Sequence, residues 1–222
     1  MKKNSLVIIG ARGSGKEVLL TINDCNKKSK KYEVLGFIDD SEKLWGRTIN
    51  GKKVLGGISW LLEKYSKINC VVCIGDPLIR KNVIEKLKKN KFIFPTIIHP
   101  SVIKSEFSKI GKGVIIQAGC IINPDSKIED HVLINMDCTI AHDSVLKEFS
   151  TLQPGVRING DNVIEKGNYI GTGTVTKDNV NIGEWCVIGA GTIVIEDVKS
   201  FSLVVGNPGK VKRNIKRKRP KL

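Results

Sequence analysis

The sequence has no run of 18 or more apolar residues, so it offers no segment of the length that a transmembrane helix needs. Lys2 and Lys3 precede only a short apolar stretch, so we expect no secretory signal peptide. Six cysteines in a chain without a leader indicate reduced thiols and a cytoplasmic location. Histidine is also scarce, and only His99, His131 and His142 are present for acid–base chemistry or metal binding.

Acidic residues are missing from the last thirteen positions, KVKRNIKRKRPKL, which carry eight basic side chains. This basic C-terminal tail, residues 210–222, accounts for more than half of the net charge of +15. It is compatible with a solvated extension, an anionic membrane surface, nucleic acid or the phosphates of a small ligand. No aromatic residue lies among these charges, so stacking on nucleic-acid bases is not supported.

Residues 10–17, GARGSGKE, come close to a phosphate-binding P-loop. Gly15 and Lys16 fit the pattern G-x-x-x-x-G-K-[ST], but Glu17 stands where a hydroxyl group would bind magnesium. A carboxylate there would also lie close to a bound triphosphate. An NTPase is therefore not favoured, and the glycines need another explanation.

The first 98 residues alternate strand-like and helix-like segments. Apolar patterns predict strands at 6–9, 34–38, 70–74 and 93–98, and helices around 18–22, at 58–65 and at 77–90. Alternation of this kind predicts an α/β domain with a parallel, Rossmann-like sheet over residues 1–98.

Between residues 110 and 194 the sequence repeats every six residues. The recurring position is aliphatic in all fifteen repeats except at Thr176. Four places later a small or compact residue recurs, and Asn162 and Asn168 interrupt this second row. Neither a helix nor an ordinary strand has this period. It predicts an all-β, triangular parallel β-helix over residues 99–209, with five coils of about eighteen residues each.

The repeat also explains several cysteines. Cys120 and Cys138 are eighteen positions apart and should stack inside adjacent coils as compact apolar residues, and Cys186 occupies the same kind of position. Cys70 and Cys73 form a C-x-x-C motif, but within a strand their side chains would point to opposite faces. A redox or zinc site is not predicted there.

The repeat, together with GARGSGKEVL, FIDD, CIGDPLIRK, AHDSVL and VVGNPGKVKR, resembles one family closely. It is similar to the bacterial sugar acetyltransferases that join a small Rossmann-like domain to a left-handed β-helix. Members act on nucleotide-linked amino sugars or are relatives of sialic acid O-acetyltransferases. The resemblance covers nearly the whole chain. It implies acetyl-CoA as co-substrate, no metal, and a homotrimer with the active site between adjacent subunits.

The resemblance assigns the first domain to the sugar nucleotide. The family's first turn reads G-A-x-G-H-G-K, and Ser14 stands here at the histidine position. Glycines allow close backbone approach, and the following helix N-terminus offers amides to an anion. The implied substrate-binding residues are Gly13, Ser14, Gly15, Asp39, Asp40 and Gly75.

His142 and Asp143 match the family's catalytic His-[Asp/Glu] pair. The resemblance implies that His142 is the general base and that Asp143 fixes its tautomer and raises its basicity. Neighbouring residues in a strand point apart, so this pairing requires a corner of the β-helix. We expect a packing or linker role for His99 and an exposed corner position for His131.

The resemblance also assigns residues to the cofactor. Thr151 aligns with a second family histidine that contacts the cofactor, and the amide of Gly160 is expected to face the thioester carbonyl. Lys212 and Arg213 are expected to help neutralise the phosphates of CoA. The implied cofactor-binding residues are Thr151, Gly160, Gly171, Thr172, Gly189, Ala190 and Lys210.

The leading expectation is acetyl transfer to the amine of a nucleotide-linked amino sugar for surface glycan synthesis. O-acetylation of sialic acid or a related sugar hydroxyl would use the same residues and stays open. A zinc carbonic anhydrase needs three converging histidines, but His131 and His142 are eleven apart, out of step with the coil. A nucleic-acid-binding scaffold would depend on the basic tail alone.

Overall fold

The computed structural model describes residues 4–215 of the chain. The chain divides into two compact units, the first built mainly from residues up to Pro100 and the second from residues after it. Residues 1–3 and the tail residues 216–222 lie outside the described residues, and so do the expectations that fall on them. Within the part of the chain described, no helix is long and apolar enough to cross a membrane.

The first unit is an α/β domain. Its elements are β1 (Asn4–Ile9), α1 (Gly13–Lys28), β2 (Tyr32–Ile38), a 3₁₀ turn (Glu42–Leu44), β3 (Thr48–Ile49), β4 (Lys52–Gly56), α2 (Ile58–Lys64), β5 (Asn69–Val72), α3 (Pro77–Lys88) and β6 (Ile97–Ile98). The sheet order is β3-β4-β2-β1-β5, with all pairs parallel except β3 and β4. The predicted Rossmann-like class is confirmed.

Two features of this unit differ from the sequence prediction. The β3–β4 hairpin was not predicted, although Asn50 and Gly51, both at positive φ, form the Asn-Gly turn typical of such hairpins. The strand predicted at 93–98 is wrong in its first half, where only Ile93 makes an isolated bridge to Asn69. Pro95 lacks an N–H group and so cannot continue a ladder.

Parallel strands place their carboxyl ends at one edge of the sheet, which we call the carboxyl edge. Strands β1, β2, β4 and β5 end there and are followed by Gly10, Asp39, Gly57 and Cys73 respectively. The strands themselves are buried, since β1 contributes Leu6 to Ile9 at 2% exposure or less. Ligands of open α/β sheets bind in the crevice at this edge.

The second unit is a stack of short strands on three faces. The strands are β7 (Ile103–Lys104), β8 (Lys109–Ile110), β9 (Ile115–Ile116), β10 (Ile121–Ile122), β11 (Lys127–Ile128), β12 (Leu133–Ile134), β13 (Thr139–Ile140), β14 (Val145–Leu146), β15 (Thr151–Leu152), β16 (Arg157–Ile158), β17 (Val163–Ile164), β18 (Tyr169–Ile170), β19 (Val175–Thr176), β20 (Asn181–Ile182), β21 (Val187–Ile188), β22 (Ile193–Val194), β23 (Ser202–Val205) and β24 (Lys210–Asn214). The first face runs β7-β10-β13-β16-β19-β22, the second β8-β11-β14-β17-β20, and the third β9-β12-β15-β18-β21-β23-β24.

The register of these faces matches the predicted repeat. Paired residues lie eighteen positions apart, as in Leu133 opposite Thr151, and β8 to β22 are fifteen two-residue strands for fifteen predicted repeats. The last coil is two residues shorter, because Val187 pairs with Leu203. Strand β24 then pairs antiparallel with β23 and has all of its residues exposed. The first five residues of the basic tail are therefore part of the third face. The left-handed β-helix class is confirmed.

The interior of the β-helix explains both rows of the repeat. The aliphatic row is buried, with Ile140, Ile158 and Ile170 at 1% exposure or less. The second row does more than fill space, because most of its polar side chains bond to carbonyls of the next coil. Cys120 Sγ donates to Asn135 O at 3.0 Å, and Cys, Ser, Thr and Asn recur in this row for the same reason.

Two of the three cysteines outside the repeat, Cys70 and Cys73, are buried too, whereas Cys25 is partly exposed. Cys70 and Cys73 have 1% and 3% of their surface exposed. Burial raises the pKa of the Cys70 thiol to about 12 and that of Cys73 further still. The thiolate that redox chemistry or metal binding requires is therefore disfavoured at both positions.

The prediction that His131 is exposed is wrong. His131 has a left-handed backbone (φ 59°), as expected for a corner, but only 4% of its surface is exposed. Its ring stacks on Phe149, one coil further along, with 5.4 Å between ring centroids. The aromatic neighbour covers the imidazole, and the hexapeptide pattern alone does not reveal this contact. His99 lies in the first unit, where its Nε2 is 3.2 Å from Asp24 Oδ2, in agreement with a packing role.

Candidate active site

The second unit places His142 and Asp143 at the corner between its first and second faces. Asp143 has φ 57°, and this left-handed conformation turns two successive side chains toward each other instead of to opposite sides. His142 Nδ1 lies 2.9 Å from Asp143 Oδ2. Both side chains are open to solvent, at 61% and 54% exposure. The carboxylate accepts a hydrogen bond from Nδ1–H, so the unprotonated Nε2 is the basic nitrogen.

Gly160, in the next coil, sets the position of the imidazole. A Cβ atom placed on Gly160 would lie 2.7 Å from His142 Cε1 and 2.9 Å from Nε2, so any larger residue would displace the ring. His142 O also accepts a hydrogen bond from the amide of Asp161, at 3.2 Å. The structure thus brings His142, Asp143 and Gly160 together.

Carboxylates surround this imidazole. The hydrogen bond to Asp143 is the main cause that raises the pKa of His142, and the charges of Asp143, Asp161 and Asp178 raise it further, partly opposed by desolvation. The corner therefore holds a base that is stronger than an isolated histidine, in an anionic environment.

The amide of Gly160, which the resemblance assigns to the thioester carbonyl, has a partner within the protein. It donates a hydrogen bond to Asp178 Oδ1 at 2.9 Å. The carboxylate of Asp178 extends back from the following coil and occupies the donor that the sequence argument assigned to the thioester carbonyl. An oxyanion role for this amide thus requires Asp178 to release it.

The glycines assigned to the pantetheine arm stack at another corner, between the third and first faces. Gly171 and Gly189 are eighteen positions apart, and a Cβ atom on Gly171 would lie 2.6 Å from the amide nitrogen of Ala190. Gly191 donates to the carbonyl of Thr172 at 2.8 Å, while Thr172 and Ala190 are exposed. This corner and that of His142 lie at opposite ends of the first face, which is only two residues wide at each strand.

Two other cofactor residues are placed differently. Thr151 lies on the third face and is completely buried, so its side chain is not exposed to a ligand in this structure. Lys210 is exposed on β24, together with Lys212 and Arg213. The described part of the tail therefore contributes accessible cations on a strand.

In the first unit, the glycines of the first turn divide into two kinds. Gly15 is structural, since a Cβ atom there would lie 1.9 Å from the carbonyl oxygen of Gly10. Gly13 has nothing within 4 Å of such an atom, and neither does Gly75, which lies three residues after the end of β5. Helix α1 begins at Gly13 with no side-chain cap and no acidic residue in its first turn, and Ser14 lies in that turn. The open glycines and the uncapped amides suit an anion.

The two aspartates at the carboxyl edge hold backbone groups of the protein. Asp39 Oδ2 accepts the amide of Ala11 at 2.9 Å and thereby fixes the glycine-rich turn. Asp40 Oδ1 accepts the amide of Ile58 at 2.7 Å, at the start of α2. Both carboxylates thus shape the edge whether or not they also touch a ligand.

Sequence reasoning missed Trp45 at the same edge. Its Nε1 donates to Asp39 O at 2.7 Å, and 45% of the residue is exposed. Its backbone lies in a turn closed by the hydrogen bonds of Trp45 N to Glu42 O and Gly46 N to Val54 O. The sequence does show a tryptophan in the turn between the two aspartates and Gly46. Such a residue could have been noticed, because indoles held on a surface often bind ligands.

The described residues include one group with the composition of a metal site. His142, Asp143 and Asp161 each offer a ligand atom, and these atoms lie within 4.8 Å of one another. All three are exposed, and such acidic groups are common without a metal. These three residues therefore do not by themselves indicate a metal site.

Known proteins match both halves of this architecture. Residues 5–87 match the family model described as the PglD N-terminal domain. A UDP-N-acetylbacillosamine N-acetyltransferase of Bacillus subtilis is 28% identical over 118 residues, which is 51% of this chain and 51% of that protein. The match thus spans about half the length of that curated relative.

Solved structures match over nearly the whole chain. PerB from Caulobacter crescentus, solved with CoA and GDP-perosamine, is 28% identical with a TM-score of 0.86, covering 95% of this chain and 98% of that one. The acetyltransferase domain of PglB from Neisseria gonorrhoeae is 28% identical with a TM-score of 0.85, covering 94% of this chain and 100% of that one. A further structure of that domain contains acetyl coenzyme A.

Proposed function

We propose that this chain, which resembles the bacterial sugar acyltransferases that join a PglD-type N-terminal domain to a left-handed β-helix, transfers an acetyl group from acetyl-CoA to the amine of a nucleotide-linked amino sugar. The observation that carries the proposal is the exposed His142–Asp143 pair, 2.9 Å apart and packed against Gly160. The product would enter surface glycan synthesis.

The chemistry follows from this pair. The amine nitrogen attacks the thioester carbonyl while His142 Nε2 accepts the proton that the nitrogen loses. The tetrahedral intermediate then expels the CoA sulfur, and the imidazolium returns the proton to that sulfur. Asp143 holds the Nδ1 proton throughout, so Nε2 stays oriented and basic.

The charges around His142 favour an amino sugar over a sialic acid. Asp143, Asp161 and Asp178 raise the pKa of the imidazole by their negative charge, and the same charge attracts the ammonium form of an amine. A sialic acid carries its own carboxylate and would be repelled. The Caulobacter protein, solved with GDP-perosamine, and the Bacillus protein, named a UDP-N-acetylbacillosamine N-acetyltransferase, agree with this preference.

We assign the nucleotide to the carboxyl edge of the first unit. The diphosphate would meet the uncapped amides at Gly13 and Ser14, where the helix dipole favours negative charge. Gly75 leaves open space beside this turn, and Trp45 offers an aromatic face to the base. Asp39 holds the turn in place from below.

We assign the pantetheine arm to the first face and the stacked glycine corner at its end, Gly171 and Gly189. Lys210 on β24 would meet the phosphates of CoA. Family resemblance supports a homotrimer, which would complete the cofactor groove with a second subunit, and a cytoplasmic enzyme. The charge of the tail also allows contact with an anionic membrane surface.

Release of free thiol from acetyl-CoA tests the proposal directly. The acceptor panel should contain UDP-, GDP- and dTDP-linked 4-amino sugars and free sialic acids. We expect thiol release with at least one nucleotide-linked amino sugar, and none with that substrate in the His142→Ala variant. Turnover with sialic acids alone would replace the proposed acceptor, and turnover that survives in the variant would reject the assigned base.

A further inference from the structure

Departures from the six-residue repeat meet at the corner that holds His142. Thr176 is the single polar residue in the aliphatic row, and Asn162 is one of two asparagines in the compact row. Both side chains are completely buried. Interior polar groups are costly unless they are bonded, so their partners indicate why the repeat is broken there.

Thr176 replaces a backbone hydrogen bond of the ladder. In the flanking coils the residue after the strand donates to a backbone carbonyl, Ala141 to Ile158 at 2.9 Å and Lys177 to Val194 at 2.7 Å. At the equivalent place Asn159 donates instead to Thr176 Oγ1, at 3.0 Å. The pairing of β16 with β19 is correspondingly reduced to Arg157 opposite Val175. The chain is thus diverted just before Gly160.

Asn162 holds the same turn from the inside. Its Nδ2 donates to Asn159 O at 2.7 Å, Gly160 O at 3.1 Å and Lys177 O at 3.0 Å. Its Oδ1 accepts the amide of Val180 at 3.1 Å. One buried side chain therefore ties together the two successive coils that carry Gly160 and Asp178.

Gly160 transmits this arrangement to the imidazole, because a Cβ atom placed on Gly160 would lie only 2.7 Å from His142 Cε1. We propose that Thr176 and Asn162 are positioning residues, whose buried polar groups hold the Asn159–Gly160 turn where it sets the place of the His142 ring. The inference rests on the proposed function for its consequence in catalysis. The placement of the ring itself is independent of which acyl acceptor the enzyme uses.

Thr176→Val is the sharpest test, because it restores the aliphatic row with a side chain of nearly the same shape. A merely structural role predicts a harmless or stabilising change, since Asn159 regains an ordinary ladder partner. We expect an unchanged or higher melting temperature but a loss of roughly tenfold or more in kcat, since small misplacements of a base are costly. Thr176→Ser keeps the hydroxyl and should recover most of the activity, with the KM for acetyl-CoA unchanged in both variants.

The ring resonances of His142 in NMR spectra give a second readout that needs no turnover. Assigned by comparison with His142→Gln, they should shift in Thr176→Val, and their titration midpoint should move, while those of His99 stay in place. If the wild type transfers no acetyl group to any acceptor, the proposed function fails, but this shift still tests the positioning. Unchanged His142 resonances together with unchanged kcat would overturn the inference.

Asn168 supplies a matched control. It is the other asparagine of the compact row and is equally buried, but its Nδ2 donates to Glu165 O and its Oδ1 accepts the amide of Cys186, at a different corner. Asn162→Ser and Asn168→Ser should both lower the melting temperature. We expect a large loss of kcat and shifted His142 resonances only in Asn162→Ser. Equal losses of kcat in the two variants, in proportion to their stability, would overturn the inference.

Discussion

The two candidate binding regions use their polar residues in opposite ways. At the carboxyl edge of the first unit, Asp39 and Asp40 hold backbone amides of the protein, so the edge offers backbone donors and an indole. At the His142 corner the functional side chains are exposed and bonded mainly to each other. Under the proposed function, recognition in the first unit would thus depend on backbone groups, whereas chemistry in the second unit would depend on side chains. Substitutions should therefore change KM in one region and kcat in the other.

The largest effect should follow from His142→Ala. Removal of a general base typically costs about 10²–10⁴ in rate, and we expect a loss of kcat in that range. Because the ring is exposed and lies outside the core, the melting temperature and the affinity for acetyl-CoA should remain near those of the wild type. Single-turnover kinetics and calorimetric binding of acetyl-CoA would measure these quantities. A large rise in the KM for either substrate at constant kcat in His142→Ala would contradict the assignment of the chemistry to this corner.

Asp143→Asn should have the next largest effect, because it removes the carboxylate that orients the ring and is the main cause of its raised pKa. A raised pKa keeps His142 protonated up to a higher pH. Because a protonated imidazole cannot act as a base, activity appears only above that pKa. Removing the carboxylate lowers the pKa, and the acidic limb of kcat/KM should move to lower pH while the plateau falls. A pH profile measures both, and an acidic limb that moves to higher pH would contradict the assignment.

Asp39→Ala tests the other region. Loss of a hydrogen bond to a charged acceptor costs about 1.5–3 kcal/mol, and here it releases the amide of Ala11 and the glycine-rich turn. We expect the KM for the nucleotide sugar to rise roughly tenfold or more, with a lower melting temperature and an unchanged KM for acetyl-CoA. Steady-state kinetics with each substrate varied in turn separates these effects. A fall in kcat alone would count against the division between the regions.

Trp45→Ala should produce a smaller change of the same kind. Base–aromatic stacking is worth about 1–3 kcal/mol, so we expect nucleotide affinity to fall by roughly five- to a hundredfold, with Trp45→Phe much less affected. Titration of UDP and GDP into a Trp60→Phe/Trp185→Phe variant should quench the remaining indole emission. Trp185→Ala, in the other unit, is the control for nucleotide affinity. Constant emission and affinity would remove Trp45 from the site.

The smallest effect should come from Asp178→Asn. Its charge is among the lesser causes of the raised pKa of His142, so the acidic limb should move to lower pH by less than in Asp143→Asn. The carbonyl oxygen of the new side chain can still accept the amide of Gly160. A pH profile of kcat/KM, measured beside that of Asp143→Asn, shows which variant has the larger shift of the acidic limb. A shift larger than that of Asp143→Asn would contradict this expected order.

The sequence predicted the regular parts of the molecule better than the irregular ones. Fifteen repeats fixed the number and register of strands β8 to β22, and the AHDSVL motif located the His142 corner. Contacts between coils could not be predicted, because the sequence alone does not show which side chains meet across coils. Phe149 covers His131, and Asp178 accepts the hydrogen bond of the Gly160 amide. For the same reason, the sequence predicts only the small size of the residues in the second row of the repeat. Its hydrogen bonds to the next coil depend on stacking geometry that spacing alone does not contain.

The antiparallel strand β24 has a consequence for end-to-end association between copies of the β-helix. A parallel β-helix whose last strand were bare could recruit the first coil of another copy and grow end to end into a fibre. Here the strand laid against β23 carries Lys210, Lys212 and Arg213 outward, and an approaching copy would meet like charge. On this third face, the cations that suit a phosphate would therefore also oppose end-to-end growth.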